Sequence, residues 1–372
     1  MVAKKQSLMA ATVLIMVAAF PFCVTSQTKH VSKWIVENYW FDFSTNPVSI
    51  SQLEGVFYKK NTSSKIYIDA DGAVRLVQVG FALYDGNGNE IKYEGAEPAV
   101  KFSYFIPMPN NDNIICCIGE GALYKIDIEN NKIISVERDV VFPDIFLAVH
   151  NADCSGIWLL QLDGYSIKRQ LLTSEGIKEA HSTPLSDVSR DALCNLSWDC
   201  KYYTWRDFVC DKICDRVVYF GVFDRRTGTF RQTSSHIFKW PIGVYTGVFA
   251  PDNSKVYYAL NQDDKKKIVE IPIVGDSLEF NRMKTVCQFE TSTRLSTIRM
   301  GLDGRLYVFE NKNIHVVEFY DNGKSRFINN YLTLDTNTPS VSFYSYLPDW
   351  YSDDPCSGTP CPDMPAPVII RE

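Results

Sequence analysis

The feature that most constrains this chain is a recurring phrase in which an aspartate-centred turn opens a short strand rich in tyrosine and valine. It reads Asp71-Gly72-Ala73-Val74-Arg75-Leu76, then Trp198-Asp199-Cys200-Lys201-Tyr202-Tyr203, then Pro251-Asp252-Asn253-Ser254-Lys255-Val256-Tyr257-Tyr258, and finally Leu302-Asp303-Gly304-Arg305-Leu306-Tyr307-Val308. Repetition at roughly 40 to 50 residues marks supersecondary units that stack or are arranged radially. Between the turns, period-two runs such as Lys65-Ile66-Tyr67-Ile68 and Ile314-His315-Val316-Val317-Glu318-Phe319 recur, and helical periodicity is almost absent after residue 30. The chain is therefore expected to be all-β.

Turn residues divide it into six units. The first runs from about Ile66 to Ile91, with turns at Asp69-Ala70-Asp71-Gly72 and Asp85-Gly86-Asn87-Gly88-Asn89, and the second runs from Phe102 past Glu129-Asn130-Asn131-Lys132. A third spans Ile145 to His181, and three more begin at Asp191, Val244 and Leu295. Each is apolar on both faces of its strands, so it must pack sheet on sheet, at about 10 Å, against its neighbours. A solenoid needs shorter and stricter repeats, and paired sandwiches predict no likeness between units. A β-propeller over residues 30–351 fits best. Strand material at Tyr39-Trp40-Phe41-Asp42-Phe43 and Val341-Ser342-Phe343-Tyr344-Ser345-Tyr346 is expected to form one further blade from both termini. That makes seven blades, with six as the alternative. Residues 352–372, with Pro355, Pro360, Pro362, Pro365 and Pro367, read as a tail.

The first 26 residues read as a signal peptide: Lys4 and Lys5, an apolar run from Leu8 to Phe22, then Val24-Thr25-Ser26 before Gln27. That run is short for a stable span, and no later segment is long and apolar enough to cross a bilayer. Export to the periplasm, the outer-membrane surface or the exterior is expected. Bulky Phe22 argues against lipid attachment at Cys23. Eleven cysteines, ten without Cys23, suit an oxidising compartment. Disulfides are expected among Cys194, Cys200, Cys210 and Cys214, and between Cys356 and Cys361, because a four-thiolate zinc site lacks its paired C-x-x-C spacing. Cys116 and Cys117, adjacent on one strand, should face opposite ways. With a net charge of −6 and no basic stripe, nucleic acid is not an expected partner.

Asn38-Tyr39-Trp40-Phe41, Tyr84-Asp85-Gly86-Asn87-Gly88-Asn89, Ile106-Pro107-Met108-Pro109-Asn110, Ala148-Val149-His150-Asn151, Leu172-Thr173-Ser174-Glu175-Gly176-Ile177, Phe249-Ala250-Pro251-Asp252 and Leu347-Pro348-Asp349-Trp350 follow one another in this order. The series resembles the N-terminal β-propeller of Bacteroidetes surface proteins associated with gliding motility and type IX secretion. The resemblance implies a propeller at the cell envelope and supplies no catalytic residues.

Asp85-Gly86-Asn87-Gly88-Asn89-Glu90 begins like a calcium loop, but Glu90 stands where glycine is needed and Ala96 where a bidentate glutamate belongs. A hairpin turn is the better reading. The five histidines are scattered, and no metal or other cofactor is expected. His150 and Asn151, at the end of an inner strand, are the candidate ligand-contacting pair, and Tyr202 with Trp205 are candidates for a partner or sugar-stacking patch. Neither a nucleophile elbow nor a P-loop or dinucleotide fingerprint occurs. The expected function is non-enzymatic binding of a protein or glycan at the envelope. The alternatives are a propeller enzyme acting on a sugar or lactone at the central channel, and a structural subunit of a secretion or motility machine.

Overall fold

The structure, a computed structural model, describes residues 33–334 apart from short stretches, the longest being 53–63, 93–103 and 185–192. Among the described residues, seven antiparallel sheets follow one another along the chain. The first holds β1 (Lys33–Val36), β2 (Tyr39–Asp42) and β3 (Ser49–Gln52), and the second holds β4 (Ser64–Ile68), β5 (Val74–Val79) and β6 (Ala82–Asp85). The third holds β7 (Tyr104–Met108), β8 (Asn111–Gly119), β9 (Ala122–Asp127) and β10 (Lys132–Glu137). In the fourth are β11 (Ile145–His150), β12 (Gly156–Asp163), β13 (Ser166–Thr173), β14 (Gly176–Ile177) and β15 (His181–Pro184). The fifth comprises β16 (Leu193–Leu196), β17 (Tyr202–Cys210), β18 (Cys214–Asp224) and β19 (Thr229–Phe238). The sixth comprises β20 (Gly243–Val244), β21 (Val248–Phe249), β22 (Lys255–Gln262), β23 (Lys265–Val274), β24 (Ser277–Leu278) and β25 (Lys284–Glu290). The seventh is β26 (Leu295–Met300), β27 (Leu306–Glu310), β28 (Asn313–Phe319) and β29 (Ser325–Thr333).

Sheets two to seven coincide with the six units read from the sequence. The segment around Tyr39-Trp40-Phe41 makes a sheet of N-terminal strands, while Val341–Tyr346, the signal segment and the tail lie outside the described residues.

Alternation along each strand sends side chains to both neighbouring sheets. On β8, Ile115 and Cys117 pack towards Leu76 and Leu83 of the second sheet, while Cys116 and Ile118 join Ala148, Leu159 and Leu172 of the fourth. The two adjacent cysteines thus face opposite ways, as expected. Trp158 and Leu160 meet Tyr203 and Trp205 between sheets four and five. Phe220 meets Tyr258 and Ile271 between five and six, and Ala259 and Ile268 meet Leu306 and Val308 between six and seven. The seventh sheet then packs on the first, where Tyr307, Phe309 and Ile314 bury Phe41 and Val48. Tyr307 is met edge-on by Phe41 and Phe43, with ring centroids 6.2 and 5.8 Å away, a favourable aromatic geometry. The first and last sheets are therefore neighbours, the packing order of a β-propeller. Outermost strands such as β10, β19, β25 and β29 carry the exposed residues.

The repeated phrase has a local cause. Asp153, Asp199, Asp252 and Asp303 each accept, on Oδ1, the backbone N–H two residues on, from Ser155, Lys201, Ser254 and Arg305 at 3.1, 3.0, 3.0 and 3.2 Å. This is the Asx turn that aspartate favours. In three of these turns the residue after the aspartate is left-handed: Cys200, Asn253 and Gly304 have φ of 55°, 54° and 73°. Glycine and asparagine tolerate that conformation best, which explains the phrase Asp-Gly or Asp-Asn.

Candidate functional site

Because consecutive strands are antiparallel, the turns joining first to second and third to fourth strands share one end of each sheet, and the second-to-third hairpins occupy the other. At the first rim, neighbouring sheets are stitched together. Asp85, 2% exposed, accepts the backbone N–H of Asn87 and Asn89 at 2.9 and 2.8 Å and Nδ2 of Asn89 at 2.9 Å. It also accepts Nδ2 of Asn131 from the third sheet at 3.0 Å. Burial works to raise its pKa, but hydrogen bonds from Asn89, Asn87 and Gly88 prevail and hold it below the ordinary carboxylate value. This is the hairpin turn expected, with its carboxylate spent on the chain itself.

Arg225, in the β18–β19 turn, does the same between sheets five and four. Its guanidinium donates to the backbone oxygens of His150 and Asn151 at 3.0 and 2.9 Å. Its own carbonyl accepts Nε1 of Trp158 at 2.8 Å and the N–H of Ala152 at 3.1 Å. Between sheets five and six, the N–H of Trp198 donates to Oδ1 of Asn253 at 2.9 Å, and the Tyr202 hydroxyl donates to Oδ1 of Asp276 at 2.8 Å. Lys201 pairs with the same Asp276 oxygen at 3.0 Å.

The structure places each of the four predicted site residues. Asn151 is buried, accepts the N–H of Gly156 at 3.1 Å and donates to Oγ of Ser155 at 3.0 Å, so its amide shapes a turn. His150 contributes a backbone carbonyl to the Arg225 latch. Tyr202 stacks on Phe220 at 5.4 Å towards the sixth sheet, whereas Trp205, 3% exposed, packs towards the fourth. A shared Tyr202–Trp205 patch is thus corrected: the two lie on opposite faces of β17, and Trp205 is core.

The cysteine reading also changes. Cys194 and Cys200 are in no disulfide. Cys194 stands opposite Trp205 on the β16–β17 ladder, and Cys200 fills the left-handed turn position. Burial pushes the Cys194 thiol up. Among the described residues no disulfide forms. Cys210 and Cys214 are backbone partners at the tip of β17–β18, and Cys356 and Cys361 lie outside the described residues.

Two polar groupings escaped the sequence reading. At the first rim, Asp303 accepts the Tyr307 hydroxyl at 2.9 Å, and Arg305 reaches Asp303 at 3.7 Å and Glu318 at 3.1 Å. Burial raises the Asp303 pKa against the lowering effect of the Arg305 N–H, the Tyr307 hydroxyl and the Arg305 charge. A carboxyl shifted upward in this way suits acid–base work as well as structure. Between sheets six and seven, Nε2 of His315 lies 2.9 Å from Oε2 of Glu310, both side chains being 5% exposed or less. The N–H of Asn330 donates to His315 Nδ1 at 3.0 Å. Nδ1 is thus the acceptor, and the ring proton sits on Nε2, donating to Glu310. Rings of Phe289 and Phe327 stand 5.8 and 5.5 Å away and seal the pair. Period-two patterning signals burial of His315, but its partners come from a hairpin end and a third strand.

The second rim presents a different surface. Phe81, at the tip of the β5–β6 hairpin, is 63% exposed, the most exposed large apolar side chain among the described residues. Also among these residues, no group of three histidine, cysteine or acidic side chains could hold a metal, and no helix is long and apolar enough to cross a membrane.

No family model matches the chain, and no curated protein does. Solved structures do. A 6-phosphogluconolactonase-like protein from Bacteroides uniformis superposes with a TM-score of 0.51 at 14% identity, covering 82% of this chain and 94% of the other. One from Bacteroides fragilis gives 0.52 at 12% identity, covering 82% and 93%. At such identity the likeness establishes fold alone: this chain is a β-propeller.

Proposed function

We propose that this protein is an exported β-propeller that binds a protein or glycan of the bacterial envelope through its second rim, without catalysing a reaction. The observation that carries the reading is Phe81, an aromatic ring held out at a hairpin tip and 63% exposed. Aromatic faces at loop tips stack on sugars and anchor protein partners. The first rim offers less, since Asp85, Asp276 and Arg225 there bond to neighbouring sheets. The test is a glycan array with the protein from residue 27 onward, beside its Phe81→Ser variant. Binding that falls by about tenfold, roughly 1.4 kcal/mol, with unchanged thermal stability supports the reading. Binding indifferent to Phe81 refutes its assignment to this rim. Export is tested separately by fusing residues 1–26 to a reporter active only outside the cytoplasm.

A second reading, an enzyme acting on a sugar or lactone, draws support from the raised pKa of Asp303 beside Arg305 and Tyr307. It also draws on the names of the two propellers above. Lactone hydrolysis abolished by Asp303→Asn in a folded variant would favour it over binding alone.

A further inference from the structure

We infer that Arg169, with Thr183 and His181 beside it, binds a carboxylate at the seam between sheets four and five. On β13, Ile167 and Leu171 pack towards sheet five, whereas Leu172 turns towards sheet three. Arg169 falls between Ile167 and Leu171 in the alternation and so projects on the fifth-sheet side. Its surroundings there are apolar: Leu160 stands opposite it on β12 and is fully buried.

The guanidinium makes one hydrogen bond, from Nη1 to the hydroxyl of Thr183 on β15 at 2.6 Å. Among the described residues no carboxylate pairs with it, and its Nε is buried without an acceptor. Such an arrangement costs stability, since a buried donor left unsatisfied loses its hydration and buried charges are ordinarily paired. The Nη1 bond leaves the other edge of the guanidinium, Nε with Nη2, unspent. That edge is a planar two-donor fork whose geometry matches the two oxygens of a carboxylate.

His181 is the direct partner of Arg169 on the β13–β15 ladder, so both side chains stand on one face with Cβ atoms about 4.5–5.5 Å apart. Its ring is exposed and makes no hydrogen bond among the described residues. The Thr183 hydroxyl, while accepting from Nη1, keeps its own proton to donate. Fork, imidazole and hydroxyl thus lie together on two paired strands. The ligand is a carboxylate borne by a small acid or by an acidic sugar. The site is on a different sheet from Phe81, so the two assignments stand or fall independently.

The test is a titration of the chain from residue 27, carrying isotope-labelled arginine side chains, with sodium acetate and sodium glucuronate against sodium chloride at constant ionic strength. The Nε–H signal missing from Arg169→Lys is the one to follow by nuclear magnetic resonance. It should shift and saturate with either carboxylate, while the other arginine signals do not saturate. Tighter binding of glucuronate would assign a sugar acid, and equal or weaker binding a simple carboxylate. His181→Ala should weaken binding roughly two- to tenfold, the weight of one hydrogen bond. By mass action the carboxylate should also raise the Tm of wild type above its value in chloride. Arg169→Met, which keeps a long apolar stem at this position, should show no such rise. An Arg169 Nε–H signal that stays in place or moves without saturating in the folded wild type, or binding indifferent to His181→Ala, would overturn the inference.

Discussion

Replacing Asp85 by alanine isolates what the rim of Asx turns contributes. Its carboxylate accepts four hydrogen bonds, two from backbone N–H groups of its own turn, one from Asn89 and one from Asn131 of the adjoining sheet. Hydrogen bonds to a charged group contribute about 1.5–3 kcal/mol each, but at a rim water replaces part of what is lost. A net cost of about 2–3 kcal/mol follows. For a domain of this size, unfolding entropy of about 2 cal/mol/K per residue turns that into a fall in Tm of about 3–5 °C. The pH dependence has a definite sign. Because the folded pKa of Asp85 lies below its ordinary value, the unfolded chain binds the proton more readily. The stabilisation is then complete above the unfolded value, near 4, and fades as pH falls through the folded one. Differential scanning calorimetry of wild type and Asp85→Ala at pH 7 and at the lowest pH where both fold should show the gap in Tm closing on acidification. A gap under about 1 °C at pH 7, or one that persists undiminished in acid, would refute the reasoning.

Asp303 carries the opposite sign, since burial raises its folded pKa. Its ionisation costs stability as pH rises through the raised value, so Asp303→Asn should gain on wild type in urea titrations between acid and neutral pH. Gly228 has φ of 68°, and a Cβ there would lie 2.7 Å from the Trp158 indole. Gly228→Ala should cost about 1–3 kcal/mol and change tryptophan fluorescence, because both backbone strain and a clash fall on one site. His315→Leu removes the Nε2 donor that Glu310 accepts and should cost about 1–3 kcal/mol by chemical denaturation, whereas Glu310→Gln, which can still accept from Nε2, should cost less.

What was legible in the sequence is what local chemistry decides. The Asx turns at Asp199, Asp252 and Asp303 each need only residues one or two positions away, so their phrase is visible and marks the sheets. The alternation of Cys116 and Cys117 is equally local. The surroundings of the candidate residues were not legible, for the converse reason. The carbonyls of His150 and Asn151 are held by Arg225, 74 or more residues distant. Tyr202 and Trp205 are near in sequence, but their odd spacing along β17 sends them to different sheets. Cys200 was read for its thiol, yet its position is set by a left-handed turn. The Glu310–His315 pair depends on Asn330, itself left-handed at φ 51° beside a strand irregularity, which no periodicity announces.

The central claim is that the first sheet packs against the last. With selectively labelled phenylalanine and tyrosine, nuclear Overhauser effects between the Phe41 and Tyr307 rings, whose centroids are 6.2 Å apart, test it directly. Cross-peaks linking the two rings, lost in Phe41→Leu, are the predicted result. Their absence in a folded sample whose Tyr307 signals are assigned would contradict the account.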